Sequence, residues 1–405
     1  MNGAGTSDEL ETVARPACPA CGRSGIEVFH HQPSIPTNSC LLMDSRDQAT
    51  RYPRGELQLA LCRTCGFLSN VTFDAALSEY SERYEETQGY SARFVDFATD
   101  LARRWVDKYD LAGRTAIEIG CGKGEFLEYL VDAGLGHVTG IDPGLHPERL
   151  RAEVASRISC VTGFFDEDFG PLEADAVVCR HTLEHIPDVA RFMRVIRAGI
   201  GDRTDVIVLF ELPDVQRILD EVAFWDVYYE HCSYFSAGSL ARLFRATGFE
   251  VLHVERTYDD QYLLLEARPS TIPGAGSPLA IEDDLDDLAK GSQLYAEGFT
   301  RTLQDWRARL AELHDAGGTA VIWGSGSKGV SFLTNLATRG AVECAVDINP
   351  YKHGKFMAGT GHRIVGPEEL TTIRPDLVIA MNPIYLDEIR GELDRLGVQA
   401  DLVAV

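Results

Sequence analysis

The segment from Phe224 to Ser236 concentrates side chains that could carry out acid–base chemistry. It reads FWDVYYEHCSYFS, so an imidazole, His231, and a carboxylate, Glu230, stand inside a run of aromatic rings. Histidine is a natural general base near neutral pH, and a neighbouring acid could hold its tautomer. The alternative is an aromatic lid or a dimer patch, but buried polar groups need a partner or a task. We take His231 as the candidate base. The candidate donors to a developing oxyanion are Tyr228, Tyr229 and His185.

A glycine-rich loop opens the central part of the chain. Residues 115–127 read TAIEIGCGKGEFL, which predicts a short strand, a G-x-G-x-G turn and a helix. Glycines allow the backbone to approach a ligand closely, and the helix N-terminus follows directly. The loop glycines are Gly120, Gly122 and Gly124. A second strand, residues 137–141, ends in Asp142, whose carboxylate could accept both hydrogen bonds from a ribose diol.

An acid, Glu118, lies two residues before the first glycine of this loop. The combination resembles motif I of class I S-adenosylmethionine methyltransferases, and the resemblance implies that the acid contacts the methionyl end of the cofactor. An NAD-type Rossmann domain is the alternative, and the run from Arg180 to Asp188 also disfavours it. Phe164 and Phe165 follow the third strand, where they could flank adenine or simply pack in the core. The other candidate cofactor contacts are Pro143, Arg180, Tyr84 and Gln88.

Two C-x-x-C pairs lie in the first ninety residues. They are Cys18, Cys21, Cys62 and Cys65, and a glycine follows the second cysteine of each pair. Two such turns complete the tetrahedral S4 shell that Zn²⁺ prefers. A redox C-x-x-C or a chance pairing of buried thiols is the alternative. Four protein ligands leave no open position, so we expect a structural zinc rather than a catalytic one.

The length and composition of the chain limit its number of domains and the kinds of partner it can bind. At about 150 residues per domain, a chain of 405 residues contains two or three domains. The 38 Lys and Arg residues are outnumbered by 62 Asp and Glu residues, which argues against nucleic-acid binding. No apolar run is long enough to span a bilayer and no signal peptide is evident. We expect a cytoplasmic protein, monomeric or homodimeric, with a small-molecule partner and neither a nucleic-acid nor a membrane partner.

The C-terminal third predicts a second, smaller α/β unit. A linker, residues 269–278, precedes a long helix at roughly 280–315 and a strand that leads into GSGSKG at 324–329. A G-x-G-x-x-G loop followed by a strand ending in Asp347 is typical of dinucleotide binding.

The doubled C-x-x-C, the EIGCGKG loop and the YYEHCSYFS segment occur in that order along the chain. Together they resemble the three-domain sugar C-methyltransferases, which act on nucleotide-linked 4-keto-deoxysugars in antibiotic pathways, for example as 3-C-methyltransferases. The resemblance implies an α/β fold: a central class I methyltransferase Rossmann-like fold, an N-terminal zinc-binding domain and a smaller C-terminal Rossmann-like domain. The predicted domains are 1–85, 86–268 and 269–405, the last contributing to substrate binding.

The resemblance also implies roles for single residues. His231, with Glu230 and Tyr228, would lie at the reacting carbon, and His185 would line the sugar pocket. Further candidate substrate contacts are His181, Tyr229 and Tyr234. The resemblance implies that the C-terminal GSGSKG loop holds part of the nucleotide-linked sugar rather than NAD. Lys328, Asn349 and Lys352 are then candidate diphosphate contacts, or else solvated surface residues. We expect Asn in the family where this chain has His181, which could indicate another ketosugar or a substrate that is not a sugar nucleotide.

A SAM-dependent C-methyltransferase forming an enolate explains every segment of the sequence. Two rival hypotheses remain: an O- or N-methyltransferase on another small natural product, and a binding protein that has lost catalysis. A C-methyltransferase acting on a non-sugar ketone is a further alternative, as is NAD bound to the C-terminal unit.

Overall fold

A computed structural model describes residues 17–78, 85, 87–272, 274–337 and 340–405. These residues form three β-sheets, which follow the three predicted domains in order. The boundaries of those domains stay a prediction. Tyr84, a predicted cofactor contact, lies outside the described residues.

The first sheet is antiparallel and belongs to the N-terminal part of the chain. Its elements here are β1 (Ile26–Pro36), α1 (Arg46–Thr50), β2 (Arg54–Cys62) and β3 (Leu68–Asn70). A short strand from the central part, Ser233–Tyr234, extends the sheet by pairing with β3. This pairing ties the segment next to His231 to the cysteine-rich part of the chain.

The central sheet carries the glycine loop. Its strands are β4 (Thr115–Ile119), β5 (His137–Ile141), β6 (Ile158–Val161), β7 (Ala176–Arg180), β8 (Ile207–Pro213), β10 (Phe249–Thr257) and β11 (Tyr262–Pro269), with Ser233–Tyr234 as β9. Within the described ranges the strand order is β10-β11-β8-β7-β4-β5-β6, and only β11 is antiparallel to its neighbours. This order, with one reversed strand next to the edge, is that of the class I methyltransferase fold. The expected fold is therefore confirmed.

Helices cover both faces of this sheet. They are α2 (Ala92–Lys108), α3 (Glu125–Asp132), α4 (Ala152–Ala155), α5 (Val189–Ile200), α6 (Val215–Asp220) and α7 (Ala237–Ala246). Their apolar residues recur at helical spacing and form one face of each helix. In α2, Trp105 is fully buried and packs against the ring of Phe126 in α3. Ser91 caps α2 by accepting a hydrogen bond from the N–H of Phe94. These helices hold the carboxyl ends of the parallel strands at one edge of the sheet.

The third sheet is parallel throughout and Rossmann-like. Its elements are α8 (Leu285–Asp315), β12 (Ala320–Trp323), α9 (Ser327–Leu336), β13 (Val342–Val346), β14 (Ile364–Val365), α10 (Leu370–Ile373), β15 (Leu377–Ala380), α11 (Leu386–Leu396) and β16 (Asp401–Ala404). The side chains of Gln261 and Asn382 exchange two hydrogen bonds, at 3.0 and 2.8 Å, between the β10–β11 hairpin and the end of β15. The third sheet is thereby fixed against the second.

Each helix in the described part of the chain is too short or too polar to cross a membrane.

Candidate active site

A cavity of about 930 Å³ lies where the three sheets meet. Residues from each part of the chain line it, including Asn38, Thr182 and Lys328. The cavity opens at the carboxyl ends of the parallel strands, where open α/β sheets bind their ligands. Its position means that a ligand inside it would contact all three parts of the protein at once.

The glycine loop forms one wall of this cavity. Gly120, Gly122 and Gly124 have positive φ values of 73°, 54° and 92°, a conformation that side-chain-bearing residues rarely adopt. A Cβ on Gly120 would overlap Oγ1 of Thr182. Gly124 itself is the N-cap of α3 and is not among the lining residues. The loop therefore keeps a cradle open in front of the helix N-terminus, as the sequence predicts.

Glu118 presents an unsatisfied carboxylate to the cradle. The residue is 1% exposed, and its Oε2 has no hydrogen-bond partner within the described residues. Burial raises the pKa of Glu118 to about 8, although Arg180 opposes the shift. A buried acid with a free oxygen fits the cationic amino group of a methionyl moiety, because such a group would both pair with the charge and satisfy the orphaned atom.

The other predicted cofactor contacts surround the same cradle. Asp142 ends β5, where it accepts hydrogen bonds from the N–H groups of Gly122 and Gly144 at 3.0 and 2.6 Å. A carboxylate with two oxygens can still accept from a ribose diol. The remaining predicted contacts that line the cavity are Pro143, Phe164, Phe165, Arg180 and Gln88. The acidic, polar and aromatic side chains around the glycine loop therefore fit S-adenosylmethionine.

A buried network of ion pairs, which the sequence did not predict, lies next to the glycine loop. The Nε of Arg180 donates to Glu211 at 2.6 Å, and Nε2 of His181 lies 3.1 Å from the other carboxylate oxygen of Glu211. The Nδ1 of His181 lies 3.5 Å from Oε1 of Glu184. Burial by itself lowers the pKa of His181, but these two carboxylates outweigh it and raise the pKa to about 9. His181 is therefore an imidazolium at neutral pH, held at a φ of +47°.

The predicted base, His231, lines the same cavity as the glycine loop. It is 7% exposed, lines the cavity, and has no hydrogen-bond partner among the residues that the structure describes. Its ring centroid is 4.2 Å from that of Tyr228 and 4.8 Å from that of His185. Burial, followed by electrostatic interactions with His185, His181 and Lys328, lowers the pKa of His231 well below 6.5. The imidazole is neutral at pH 7 and has a lone pair free to accept a proton.

His185 has a fixed tautomer. Its Nδ1 lies 3.0 Å from the backbone carbonyl of Glu230, which can only accept, so Nδ1 carries the proton. Burial also lowers the pKa of His185, which keeps the ring neutral and leaves Nε2 as an acceptor. His185 consequently does not serve as a neutral donor to an oxyanion through Nε2, one of the roles we predicted for it.

Glu230 does not hold the tautomer of His231. Its Oε1 accepts hydrogen bonds from the N–H of Ser39, at 3.2 Å, and from the hydroxyl of Ser39. The Ser39 hydroxyl also lies 2.7 Å from that of Ser327, so the carboxylate joins all three parts of the chain. Burial raises the pKa of Glu230 to about 7, while the Ser39 contacts lower it. Glu230 thus positions the walls of the cavity.

Two predicted substrate contacts are placed elsewhere. The ring of Tyr229 is fully buried, and its hydroxyl accepts a hydrogen bond from the N–H of Asp74 at 2.9 Å. Tyr234 lies in β9 and donates to the carbonyl of Tyr228 at 3.3 Å. Neither appears among the described residues that line the cavity. Tyr228 does line it, and burial raises its pKa well above 10, so its hydroxyl keeps its proton.

The C-terminal loop lines the cavity but is already satisfied internally. Asp347 accepts hydrogen bonds from the N–H and hydroxyl of Ser325, from the N–H of Asn349, and from Nζ of Lys352 at 3.2 Å. These contacts occupy the carboxylate that a dinucleotide ribose would need, which disfavours NAD at this loop. Lys328 pairs with Asp226, and Nδ2 of Asn349 donates to Glu85 at 3.1 Å. A diphosphate would have to compete with these partners.

The four cysteines converge at one point away from the cavity. Their Sγ atoms all lie within 4.8 Å of one another, and the Cys18–Cys65 and Cys21–Cys62 pairs are each 3.7 Å apart. With Zn–S bonds of about 2.3 Å, a tetrahedron has edges of about 3.8 Å. Gly22 and Gly66 follow the pairs with φ values of 72° and 73°. The donor set therefore fits a tetrahedral metal ion.

Comparison with known families decides the enzyme class. Residues 90–254 match the family described as "Methyltransferase domain", and residues 282–400 match the "C-methyltransferase C-terminal domain". The first range contains the glycine loop, and the second contains β12 to β15 of the third sheet but not β16. The chain is an S-adenosylmethionine-dependent methyltransferase.

The methyltransferase has relatives of several kinds. The C-methyltransferase NovU of Streptomyces niveus is 25% identical over 410 residues, covering 94% of this chain and 93% of the relative. The ubiquinone biosynthesis O-methyltransferase of Pseudomonas paraeruginosa is 35% identical over 101 residues, covering 23% of this chain and 43% of the relative. A solved 1,6-didemethyltoxoflavin-N1-methyltransferase of Burkholderia thailandensis is 21% identical, has a TM-score of 0.36, and covers 45% of this chain and 82% of its own.

The raised pKa of Glu118 gives a testable property of this methyltransferase. At pH 7 a carboxyl with a pKa of about 8 is mostly protonated. Pairing with the cationic amino group of S-adenosylhomocysteine favours the ionised form, so binding should release a proton, and affinity should rise with pH up to about 8. Calorimetric titrations in buffers of different ionisation enthalpy measure this release. Glu118→Gln should abolish it, and a binding heat independent of buffer in the wild type would contradict the assignment.

Proposed function

We propose that this methyltransferase transfers a methyl group to a carbon atom next to the ketone of a nucleotide-linked 4-keto-deoxysugar. The observation that carries the proposal is His231: a neutral imidazole without a hydrogen-bond partner in the described structure, facing the same cavity as the cofactor cradle. Methyl transfer to oxygen or nitrogen needs the cradle but needs no base for a carbon acid. A base in this position is what an enolate mechanism requires.

The first step is removal of a proton from the carbon α to the ketone. The C–H bond breaks, its electrons delocalise onto the ketone oxygen as an enolate, and the proton goes to the free ring nitrogen of His231. Tyr228 is the remaining candidate donor to the enolate oxygen, because the hydroxyl of Tyr229 donates to the carbonyl of Asp74 and Nδ1 of His185 donates to the carbonyl of Glu230. A positioned donor of this kind contributes about 3–4 kcal/mol when the developing charge is shielded from water.

The second step forms the new carbon–carbon bond. S-adenosylmethionine, when bound, supplies an electrophilic methyl group on a cationic sulfur. Glu118 and Asp142 would hold the two ends of the cofactor, and the glycine loop would bring the methyl group towards the substrate. The enolate carbon would form the new bond to this methyl group as the S–CH3 bond breaks, and S-adenosylhomocysteine would leave. The role of the protein in this step is mainly alignment of the reacting atoms.

The proposed substrate class rests on the cavity and on the relatives. All three parts of the chain contribute to a cavity of about 930 Å³, which is large enough for a cofactor and a second ligand. Lys328 and Lys352 lie on the side formed by the C-terminal part, where a diphosphate could exchange with Asp226 and Asp347. Similarity to a C-methyltransferase along 94% of the chain supports carbon as the acceptor.

We also propose that the four cysteines hold one structural zinc ion. Their sulfur separations support tetrahedral coordination, and four protein ligands leave no position for a substrate. The ion would hold the loop before β3, and β3 in turn pairs with β9 beside His231. Zinc would therefore act on catalysis only through the position of this segment.

A panel of nucleoside diphosphate 4-keto-6-deoxyhexoses tests the proposed function. Each compound is incubated with the purified chain and S-adenosylmethionine, and the products are weighed by mass spectrometry. We expect at least one sugar nucleotide to gain the mass of one methylene unit, and S-adenosylhomocysteine to appear in equal amount. Failure of every ketosugar, together with methylation of a phenol or amine, would overturn the proposal in favour of O- or N-methyl transfer.

A further inference from the structure

We propose that Glu184 is the carboxylate that stabilises protonated His231 during enolate formation, and this inference rests on the proposed function. Glu184 lies in a short helical turn after β7 and belongs to the buried network of ion pairs that also contains His181. The sequence gives no reason to choose Glu184, because Glu230 is the acid next to His231 along the chain. The structure gives Glu184 the position that the sequence suggested for Glu230.

Geometry supports this assignment. A carboxylate oxygen of Glu184 and ring nitrogens of His185 and His231 all lie within 4.8 Å of one another. Glu184 is 2% exposed, lines the cavity, and its Oε2 has no hydrogen-bond partner within the described ranges. An unpartnered carboxylate oxygen in such a buried place is costly unless a positive charge or a proton arrives there. The proton taken from the substrate supplies that charge.

The surrounding groups make a dedicated counter-charge necessary. His231 faces positive charge from His181 and Lys328, and His185 lies against its ring. Glu230, next to it in sequence, is bound by Ser39 through Oε1 only, and its pKa is raised to about 7 by burial. Unlike Glu184, it is not part of the described cluster with His185 and His231. An imidazolium formed at His231 would therefore be poorly stabilised without Glu184. The polar or charged groups around this site are His181, His185, Tyr228, Glu230, Tyr234 and Lys328.

The position of Glu184 is itself set by neighbours. His181, an imidazolium at neutral pH, lies 3.5 Å from Oε1 and is held from the other side by Glu211. This pairing leaves Oε2 free for the histidine pair. Glu184 is thus a positioning residue that acts through His231 and need not touch the substrate. The proton balance is complete: hydrogen leaves carbon, His231 gains it beside Glu184, and it returns to solvent after methyl transfer.

Solvent exchange separates this role from a structural one. Wild-type chain and Glu184→Gln are incubated in D2O with S-adenosylhomocysteine and a thymidine diphosphate 4-keto-6-deoxyhexose, and deuterium at the α carbon is followed by NMR. We expect exchange by Glu184→Gln to be about 10-fold slower at neutral pH. A carboxylate raises the pKa of a nearby imidazole, so its loss should move the acidic limb of the pH profile to lower pH. Glu184→Asp, which keeps the charge, should move that limb back towards the wild-type position.

Controls keep failure of the inference distinct from failure of the proposed function. Glu173→Gln, on the exposed surface, makes the same chemical change and should leave exchange and methylation unchanged. The affinity of Glu184→Gln for S-adenosylhomocysteine and its thermal midpoint report whether it is folded. A folded Glu184→Gln with wild-type exchange and an unmoved acidic limb would overturn the role of Glu184 alone. Absence of exchange in the wild type with every ketosugar of the panel would overturn the proposed function itself.

Discussion

His231→Asn should lower the rate of methyl transfer to a ketosugar by about 10³-fold. The amide keeps a polar group in the cavity but has no basic lone pair at neutral pH, so the α proton stays on the substrate. S-adenosylhomocysteine should bind the variant as it binds the wild type, because within the described residues the ring of His231 contacts Tyr228, His185 and Tyr234 rather than the glycine loop. Initial rates of S-adenosylhomocysteine release and calorimetric affinity measure the two effects separately.

His314→Asn is the matched control for this variant. His314 lies exposed in the last turn of α8, so the same substitution there should change neither rate nor affinity. Full turnover by His231→Asn would contradict an enolate mechanism and favour methyl transfer to oxygen or nitrogen. Loss of cofactor affinity together with loss of turnover would instead indicate that the cavity has collapsed.

Removal of the zinc proposed at the four cysteines should cost both stability and activity. Metal binding contributes about 10–16 kcal/mol in isolated zinc-finger peptides, and an unoccupied thiol cluster loses that contribution. Cys62 lies at the end of β2, and Leu68 of β3 pairs with Tyr234 of β9, three residues from His231. Cys62→Ser should therefore lose its zinc, unfold at a lower temperature and methylate slowly, as measured by elemental analysis, thermal scans and initial rates.

Cys160→Ser provides the comparison for the zinc variant. Cys160 lies on the edge strand β6, far in sequence from the four clustered thiols, and its replacement should leave the zinc content at one ion per chain. Native protein that contains no zinc, and whose thermal midpoint does not respond to a strong chelator, would contradict the metal assignment. A fully active Cys62→Ser would show that the cluster of four cysteines does not position the segment around His231.

The sequence predicts the central fold well because its signals are local. A short apolar strand, closely spaced glycines and a helix can be recognised without knowledge of the tertiary structure, and β4, the loop and α3 lie where the pattern placed them. The paired cysteines are equally local, since each pair needs only one tight turn. Positive φ values at Gly22 and Gly120 supply the physical reason for glycine at those positions.

Side-chain partners in the cavity could not be predicted in this way. Glu230 follows Tyr229 and precedes His231 in sequence, yet its carboxylate is bound by Ser39, nearly two hundred residues earlier. The tautomer of His185 depends on a carbonyl on another loop. Adjacent aromatic residues also point in different directions: Tyr228 lines the cavity, whereas Tyr229 packs among N-terminal residues. These facts depend on contacts between distant parts of the chain.

The C-terminal loop is a second case in which the local sequence pattern could not predict the side-chain contacts. Its glycines and trailing acid are those of a dinucleotide site, but Ser325 and Lys352 already occupy Asp347. The glycine pattern shows that the backbone could approach a dinucleotide closely. The side chains around the loop determine whether a dinucleotide can bind there. Glu184 illustrates the reverse case, because no local pattern distinguishes it and only its burial and its free oxygen indicate a role.

The atom that receives the methyl group is the most direct test of this account. A ketosugar uniformly labelled with ¹³C is methylated using S-adenosylmethionine that carries a ¹³C methyl group, and the product is examined by carbon NMR. We predict a one-bond carbon–carbon coupling between the new methyl group and the ring carbon next to the ketone. A methyl carbon attached to oxygen or nitrogen, without that coupling, would contradict the proposed chemistry.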